Sequence, residues 1–274
     1  MFALVGAGRV TDSFVARIPR LSLELGPVAA QSYRLASRIA NAIGAGHPVR
    51  GYQDLEPSRL VLLCVPAAKL PVILPHLIPA LDWRGKVALL CDSGADSTQL
   101  AGLRARGAAA GSIQPIRGFE RRFVAEGDRA AVRAAKRLAS LVGGRVEEVR
   151  TEHIGLYRAA LSFSTCLFIP LMEAAYECLR GAGIDDGAAM RITEQLFQQS
   201  VRGYHYSGKR SWNGVVAKGD SSRVWREIDA LAEVKPHLAH YYCEGAAFAL
   251  DYFGRHPALR ESLVEPRFRA HSAA

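Results

Sequence analysis

The strongest constraint on the fold is a glycine loop set between two patterns of different period. Phe2 to Val5 is a short apolar run with the character of a buried strand. Gly6-Ala7-Gly8 comes at once after it, and a helical pattern begins at Arg9. A turn of this kind leaves free backbone N–H groups at a helix N-terminus, where the peptide dipole favours anions. In Gly6-x-Gly8-x-x-Thr11, Gly6 makes the tight turn and Gly8 lets a pyrophosphate approach the backbone, with Arg9 and Val10 completing the contact. Thr11 stands where Gly or Ala is usual, which loosens helix–strand packing. The bland alternative is an ordinary strand-to-helix turn that binds nothing.

The chain beyond the loop favours the binding reading. Runs that fit buried strands recur at Pro27–Ala30, Leu60–Val65, Val87–Cys91 and Ala109–Ile113, with a weaker one at Arg145–Val149. Helix-length stretches separate them: Tyr33–Ile43, Lys69–Leu81, Thr98–Arg106 and Arg129–Val142. Pro71 suits a first helical turn, whereas Pro75 should kink the helix after it. Strands alternating with helices at this spacing predict a parallel sheet covered on both faces.

Beyond about Thr151 the strands stop. Ile154 to Arg180 reads as one long helix, apolar nearly all round, to be buried in a helical core or a subunit interface. Asp185-Asp186 opens a second helix running to about Arg202, and a loop from Gly203 to Gly219 leads to Asp220, an N-cap for a third. A fourth runs from Pro236 to about Phe253. The expected organisation is an α/β domain over residues 1–150 followed by an all-α domain over 151–274. A length of 274 residues suits two such domains.

Composition narrows the function. A chain 49% hydrophobic and 22% charged is not intrinsically disordered. The longest charge-free apolar stretch, Ala159–Met172, is shorter than a bilayer span and contains Ser162, Ser164 and Thr165, so no membrane span is expected. Five cysteines with no CxxC pair, mostly in apolar runs, and a start lacking a signal-peptide pattern predict a cytoplasmic protein. The net charge of +9 comes with no nucleic-acid-binding signature. Arg129, Arg133, Lys136 and Arg137 fit a solvated helix face. Tyr204-His205-Tyr206 with Lys209-Arg210 and Trp212 reads as a loop over a cleft between the domains. His237-x-x-His240 with Glu244 has helical metal spacing but no compelled third ligand, so no metal is expected.

The end of the second strand sets cofactor choice. An NAD site wants a carboxylate there for the ribose hydroxyls, and this chain offers Gln31-Ser32-Tyr33-Arg34. Ser32 and Arg34 suit a 2′-phosphate, which points to NADP. In the alternative, Ser32 caps a helix and Arg34 is merely solvated.

These residues resemble a known family. Gly6-Ala7-Gly8-Arg9-Val10, Leu62-Leu63-Cys64-Val65-Pro66, Ser93-Gly94-Ala95, Ser112-Ile113-Gln114-Pro115-Ile116 with Phe119, Tyr157 to Ile184, and Gly214-Val215-Val216-Ala217-Lys218-Gly219-Asp220 carry the resemblance. It is to proteins joining a Rossmann-like domain to a C-terminal helical domain of unknown function 2520. They are distant relatives of the pyrroline-5-carboxylate reductase, ketopantoate reductase and 6-phosphogluconate dehydrogenase group. The resemblance implies that Val65, Pro66 and Ser93 border a nicotinamide ring. It also implies that the helical domain closes the substrate pocket and forms a homodimer interface. The family usually has His where this chain has Cys91, Gln114 and Arg158, and Arg where Lys218 stands.

The polar candidates left for proton transfer and substrate binding are Lys218, Asp220 and Arg158. Lys218 would donate a proton if desolvated, and Arg158 would clamp a substrate carboxylate. Equally, Lys218 and Asp220 form an exposed loop pair, with Asp220 only capping a helix. The expected function is an NADP-dependent oxidoreductase acting on a small anionic carbonyl or imine at the interdomain cleft. The competing expectation is a non-catalytic NADP(H)-binding or scaffold protein.

Overall fold

The computed structural model describes residues 2–7, 24–92 and 94–264. The chain divides into two compact units, Met1–Ala160 and Leu161–Ala274. The first is an α/β unit built on one eight-stranded sheet. Its strands are β1 (Phe2–Gly6), β2 (Leu25–Ala29), β3 (His47–Pro48), β4 (Leu60–Cys64), β5 (Val87–Leu90), β6 (Ala109–Pro115), β7 (Arg122–Gly127) and β8 (Arg145–Glu148). They lie in the order β3-β2-β1-β4-β5-β6-β7-β8. The first six are the doubly wound order in which the chain starts in mid-sheet, winds to one edge and crosses back.

The sheet is parallel from β3 to β6, where β7 pairs antiparallel to β6 through Gly111↔Gly127 to Pro115↔Phe123. β8 runs parallel to β7, so the last two strands oppose the first six. The alternation pattern did not predict β7. Its apolar stretch, Phe123-Val124-Ala125, is short and bracketed by Arg122 and Glu126, and so reads as loop. β3 was missed because two residues against one neighbour leave no periodic signature.

Among the described residues, helices α1 (Tyr33–Ile43), α2 (Leu70–Leu77), α3 (Ala101–Arg104) and α4 (Arg129–Leu141) belong to this unit. α1 has the expected bounds because Ser32 accepts from Leu35 N–H at 3.2 Å at one end and Gly44, at φ 72°, closes the other. α2 holds Pro75 inside it and gives way to a 3-10 turn, Ile78–Ala80. Each face of the sheet has its own core. One packs Phe2, Leu4, Leu62 and Leu89 against Ile39 and Leu138, and the other packs Val5, Leu63 and Leu90 against Ile73, Trp83 and Leu103.

The long apolar helix expected over 154–180 is two helices, α5 (Ile154–Ser164) and α6 (Ile169–Gly181). Thr165 Oγ1 and Cys166 Sγ donate to the carbonyls of Leu161 and Ser162, and the Leu167 amide also turns to Ser162. Side-chain groups that compete for backbone acceptors weaken a helix, and Pro170 brings no N–H to bridge the break. Nor is the segment buried in the single chain: Leu156, Phe163, Leu167 and Ile169 are 70%, 63%, 50% and 60% exposed. By length and composition alone the run Thr151–Gly181 is apolar enough to cross a membrane, with a mean hydropathy of 1.4 in its best window.

The second unit continues with α7 (Asp186–Ser207), α8 (Val215–Lys218), α9 (Ser221–Val234), α10 (Pro236–Phe253) and α11 (Pro257–Val264). α7 runs through Gly203, and a 3-10 turn and α8 occupy the rest of the expected loop. A helical Gly costs only about 1 kcal/mol relative to Ala, which one well-capped helix readily outweighs. Val224, Ile228, Cys243 and Leu250 form the core of this unit.

Candidate functional site

The site begins where β1, β4 and β5 end together. Gly6 lies in register with Cys64, the Ala7 amide donates to the Cys64 carbonyl at 3.2 Å, and the Cys91 amide donates to the Leu63 carbonyl at 3.0 Å. This is the switch point of the sheet, where connections leave in opposite directions and open a crevice beyond the strand ends. Gly6 therefore stands where the sequence pattern required. Gly8, Arg9, Val10 and Ser93 lie outside the described residues, as does the helix expected from Arg9.

Asp92 ties two of these loops together. One of its carboxylate oxygens accepts from the Ala67 amide at 2.6 Å and the other from the Gly94 amide at 2.9 Å. The segment Val65-Pro66-Ala67 is thereby fixed against Gly94, with Val65 1% exposed and Pro66 at the surface. Gln114, 4% exposed, donates from Nε2 to the Asp92 carbonyl at 3.1 Å. Cys91 packs against the core, and hydrogen bonding with the Cys64 thiol together with burial pushes its own thiol well up. At neutral pH it is a thiol and not a nucleophilic thiolate. Sequence reasoning missed Asp92. Its signal was an Asp one residue before Ser-Gly at a strand end, the pattern of an Asx turn.

At the end of β2, Ser32 and Arg34 are both exposed at the start of α1, whose first turn contains no acidic residue. Ser32 Oγ already accepts from Leu35 N–H, and its own hydroxyl proton remains available to donate. Arg34 has no ion-pair partner among the described residues. A second guanidinium belongs to the same corner: Arg50 lies 5.4 Å from the centroid of the Tyr33 ring. The start of α1 itself holds no carboxylate, while Asp54 Oδ2 accepts from the Arg50 amide at 3.2 Å.

Arg158 stands in α5 within the first unit, paired with Asp96: Nη1 donates to Oδ2 at 3.3 Å. Asp96 is also the cap of the 3-10 turn Ser97–Leu100, accepting from Thr98 N–H at 3.1 Å and from the Thr98 hydroxyl. Burial opposes ionisation of Asp96, but the hydrogen bonds from Thr98 and the charge of Arg158 outweigh it and hold the carboxyl below the usual range. Nε and Nη2 of Arg158 are shielded from solvent and have no hydrogen-bond partner among the described residues. They form the edge of the guanidinium that grips a carboxylate or phosphate in bidentate fashion.

Lys218 and Asp220 belong to the second unit. Asp220 caps α9, accepting from Arg223 N–H at 3.1 Å, and Lys218 is exposed at the end of α8. His240 pairs with Glu244 at 3.2 Å, and no group of three metal-ligating side chains occurs among the described residues.

Residues 122–247 match the family described as Domain of unknown function (DUF2520). The fold is shared with solved structures of low identity. A Bacteroides fragilis protein classed as an NADP oxidoreductase superposes with a TM-score of 0.68 at 15% identity, over 89% of this chain and 95% of that one. A Thermotoga maritima protein gives 0.66 at 19% identity, over 96% and 99%. An imine reductase from Myxococcus stipitatus, in complex with NADP+, gives 0.61 at 15% identity, over 92% and 94%. At such identities the likeness is one of fold, a Rossmann-like sheet followed by a helical region. No curated protein sequence matches this chain.

Proposed function

We propose that this chain is an NADP-dependent oxidoreductase that reduces, or forms by oxidation, a small anionic carbonyl or imine compound. One observation carries the reading. Gly6 ends β1 at the switch point, in register with Cys64 at the end of β4, while the end of β2 offers Ser32 and Arg34 and no carboxylate. Gly6, Gly8, Arg9 and Val10 would hold the pyrophosphate, Ser32 and Arg34 the 2′-phosphate, and Val65, Pro66 and Ser93 would border the nicotinamide. The solved relatives support the cofactor class, since one is classed as an NADP oxidoreductase and another is an imine reductase holding NADP+.

The bound cofactor would supply hydride to the carbonyl or imine carbon, and the heteroatom would take a proton. Lys218 is our candidate donor, with Asp220 holding its loop and Arg158 gripping the anionic group of the substrate. The unengaged edge of Arg158 is the reason to choose an anion. A second copy of the chain would cover the apolar surface of α5 and α6, making the protein a homodimer. Five free cysteines accord with a reducing compartment such as the cytoplasm.

Calorimetric titration with NADPH and NADH tests the reading. NADPH should bind more tightly than NADH, and Gly8→Asp, which places a carboxylate where the pyrophosphate approaches, should abolish both. Absence of binding by the unaltered chain overturns it.

A second reading, NADP(H) binding without turnover, draws on the polar groups already engaged. Gln114 is committed to a backbone carbonyl, Asp220 to a helix cap, and the charge of Arg158 is offset by Asp96. Steady NADPH oxidation with any member of a keto-acid and imino-acid panel would exclude it.

A further inference from the structure

A carboxylate outside the proposed cofactor contacts is buried in the first unit. Glu126, in β7, is 0% exposed, yet no cation pairs with it directly among the described residues. Its charge is met by three donors: Ser97 N–H at 2.8 Å, Ser97 Oγ at 2.7 Å and Thr151 Oγ1 at 2.7 Å. Burying a carboxylate is costly unless its oxygens are fully engaged, so wherever Glu126 goes these donors must go too.

The donors come from the two segments that carry the Asp96–Arg158 pair. Ser97 is the neighbour of Asp96. Arg104 completes its immobilisation, donating from Nη1 to the Ser97 carbonyl at 2.9 Å and from Nη2 to Ser97 Oγ at 2.8 Å. Every polar atom of Ser97 is thus held, and Arg104 is itself anchored on Asp128 at 2.9 Å. Through the Ser97 hydroxyl, the charge of Arg104 also reaches the carboxylate by relay. Thr151 opens the 3-10 turn Thr151–His153, which runs directly into α5, and Arg158 lies on the second turn of that helix. One buried carboxylate therefore holds the loop that presents Asp96 and the helix start that presents Arg158.

We propose that Glu126 is a positioning residue that sets the geometry of the Asp96–Arg158 pair and so aims the Nε–Nη2 edge of Arg158 at the carboxylate of a small keto or imino acid. This rests on the reading of Arg158 as the anion clamp. Asp96 occupies one corner of the guanidinium and fixes its rotation. Glu126 fixes both backbones, so the remaining edge is presented in one orientation without touching the ligand itself.

The experiment measures binding of pyruvate, as the probe, to the full chain by calorimetry with and without saturating NADP+, alongside NADPH affinity and thermal melting. Glu126→Gln, which keeps the shape but replaces one acceptor by a donor facing Ser97 or Thr151, should weaken pyruvate about tenfold, the lower end of what residues that orient metal ligands contribute. Thr151→Val removes only the hydroxyl and should weaken pyruvate several-fold, whereas Thr151→Ser should restore it. NADPH affinity should stay within twofold throughout. Unchanged pyruvate affinity in both Glu126→Gln and Thr151→Val overturns the proposal, as does no pyruvate binding by the unaltered chain. An equal loss of NADPH affinity also overturns it, by marking the network as general scaffolding. If the unaltered chain binds pyruvate but not NADPH, the cofactor reading fails while the arm without NADP+ still decides the role of Glu126.

Discussion

Replacing Arg34 by Ala separates cofactor recognition from stability. Arg34 is exposed, has no ion-pair partner among the described residues and sits in the first turn of α1, where a cation opposes the helix dipole. Its loss should leave the melting temperature unchanged or slightly raised, within the roughly 0.5 kcal/mol typical of surface changes. A charge-assisted hydrogen bond to phosphate contributes about 1.5–3 kcal/mol, or roughly 10- to 150-fold in affinity. The exposure of this corner places Arg34 at the lower end. Arg50, 5.4 Å from the Tyr33 ring centroid, keeps a second positive charge nearby. The expected result is about a tenfold loss of NADPH affinity with NADH unaffected, and a larger loss when Arg50→Ala is added. Titration of both nucleotides on the same preparations measures the ratio. If NADPH and NADH weaken together, or neither changes, Arg34 does not read the 2′-phosphate.

Two further predictions concern the fold and its assembly. Gly127→Ala should lower stability by more than about 3 kcal/mol: its φ is +122°, and a Cβ would lie 2.5 Å from both the Ala110 carbonyl oxygen and the Gly111 Cα, backbone atoms that cannot yield. Gly118→Ala, at φ +82° with nothing within 4 Å of the added carbon, should cost only about 1 kcal/mol, and equal melting losses for the two would refute the steric account. Leu167→Glu, at a residue 50% exposed between α5 and α6, should convert a dimer to a monomer in light scattering while leaving the helical content intact. A monomeric unaltered chain would remove the interface we assign to that surface.

What was legible in the sequence was local. Ser32 before an amphipathic stretch fixed the start of α1, Asp220 fixed the start of α9, and the apolar runs of β4 and β5 could be nothing but buried strands. Of the candidate site, only the local backbone was legible, the strand end at Gly6 and the helix cap at Ser32. Glu126 acts on Ser97 and Thr151, 29 and 25 residues away, and Arg158 meets Asp96 across 62 residues. No periodicity records such pairings, because a buried Glu in a short strand and a surface Glu look alike until the register is known. The break after α5 was readable in principle from Thr165 and Pro170, but the apolar run around them spoke louder than its two interruptions.

The pairing of Arg158 with Asp96 has a kinetic consequence. A lone guanidinium would project a field beyond its own contacts and draw anions in from solution, at rates that fall as salt rises. Here the two opposite charges, 3.3 Å apart, form a dipole whose field dies away within a few ångströms. On the proposed role of Arg158, an anion reaching it would be selected by fit and not gathered by attraction. Capture there should therefore be slow and nearly indifferent to ionic strength, in contrast to that of the proposed cofactor at Arg34, which has no ion-pair partner among the described residues.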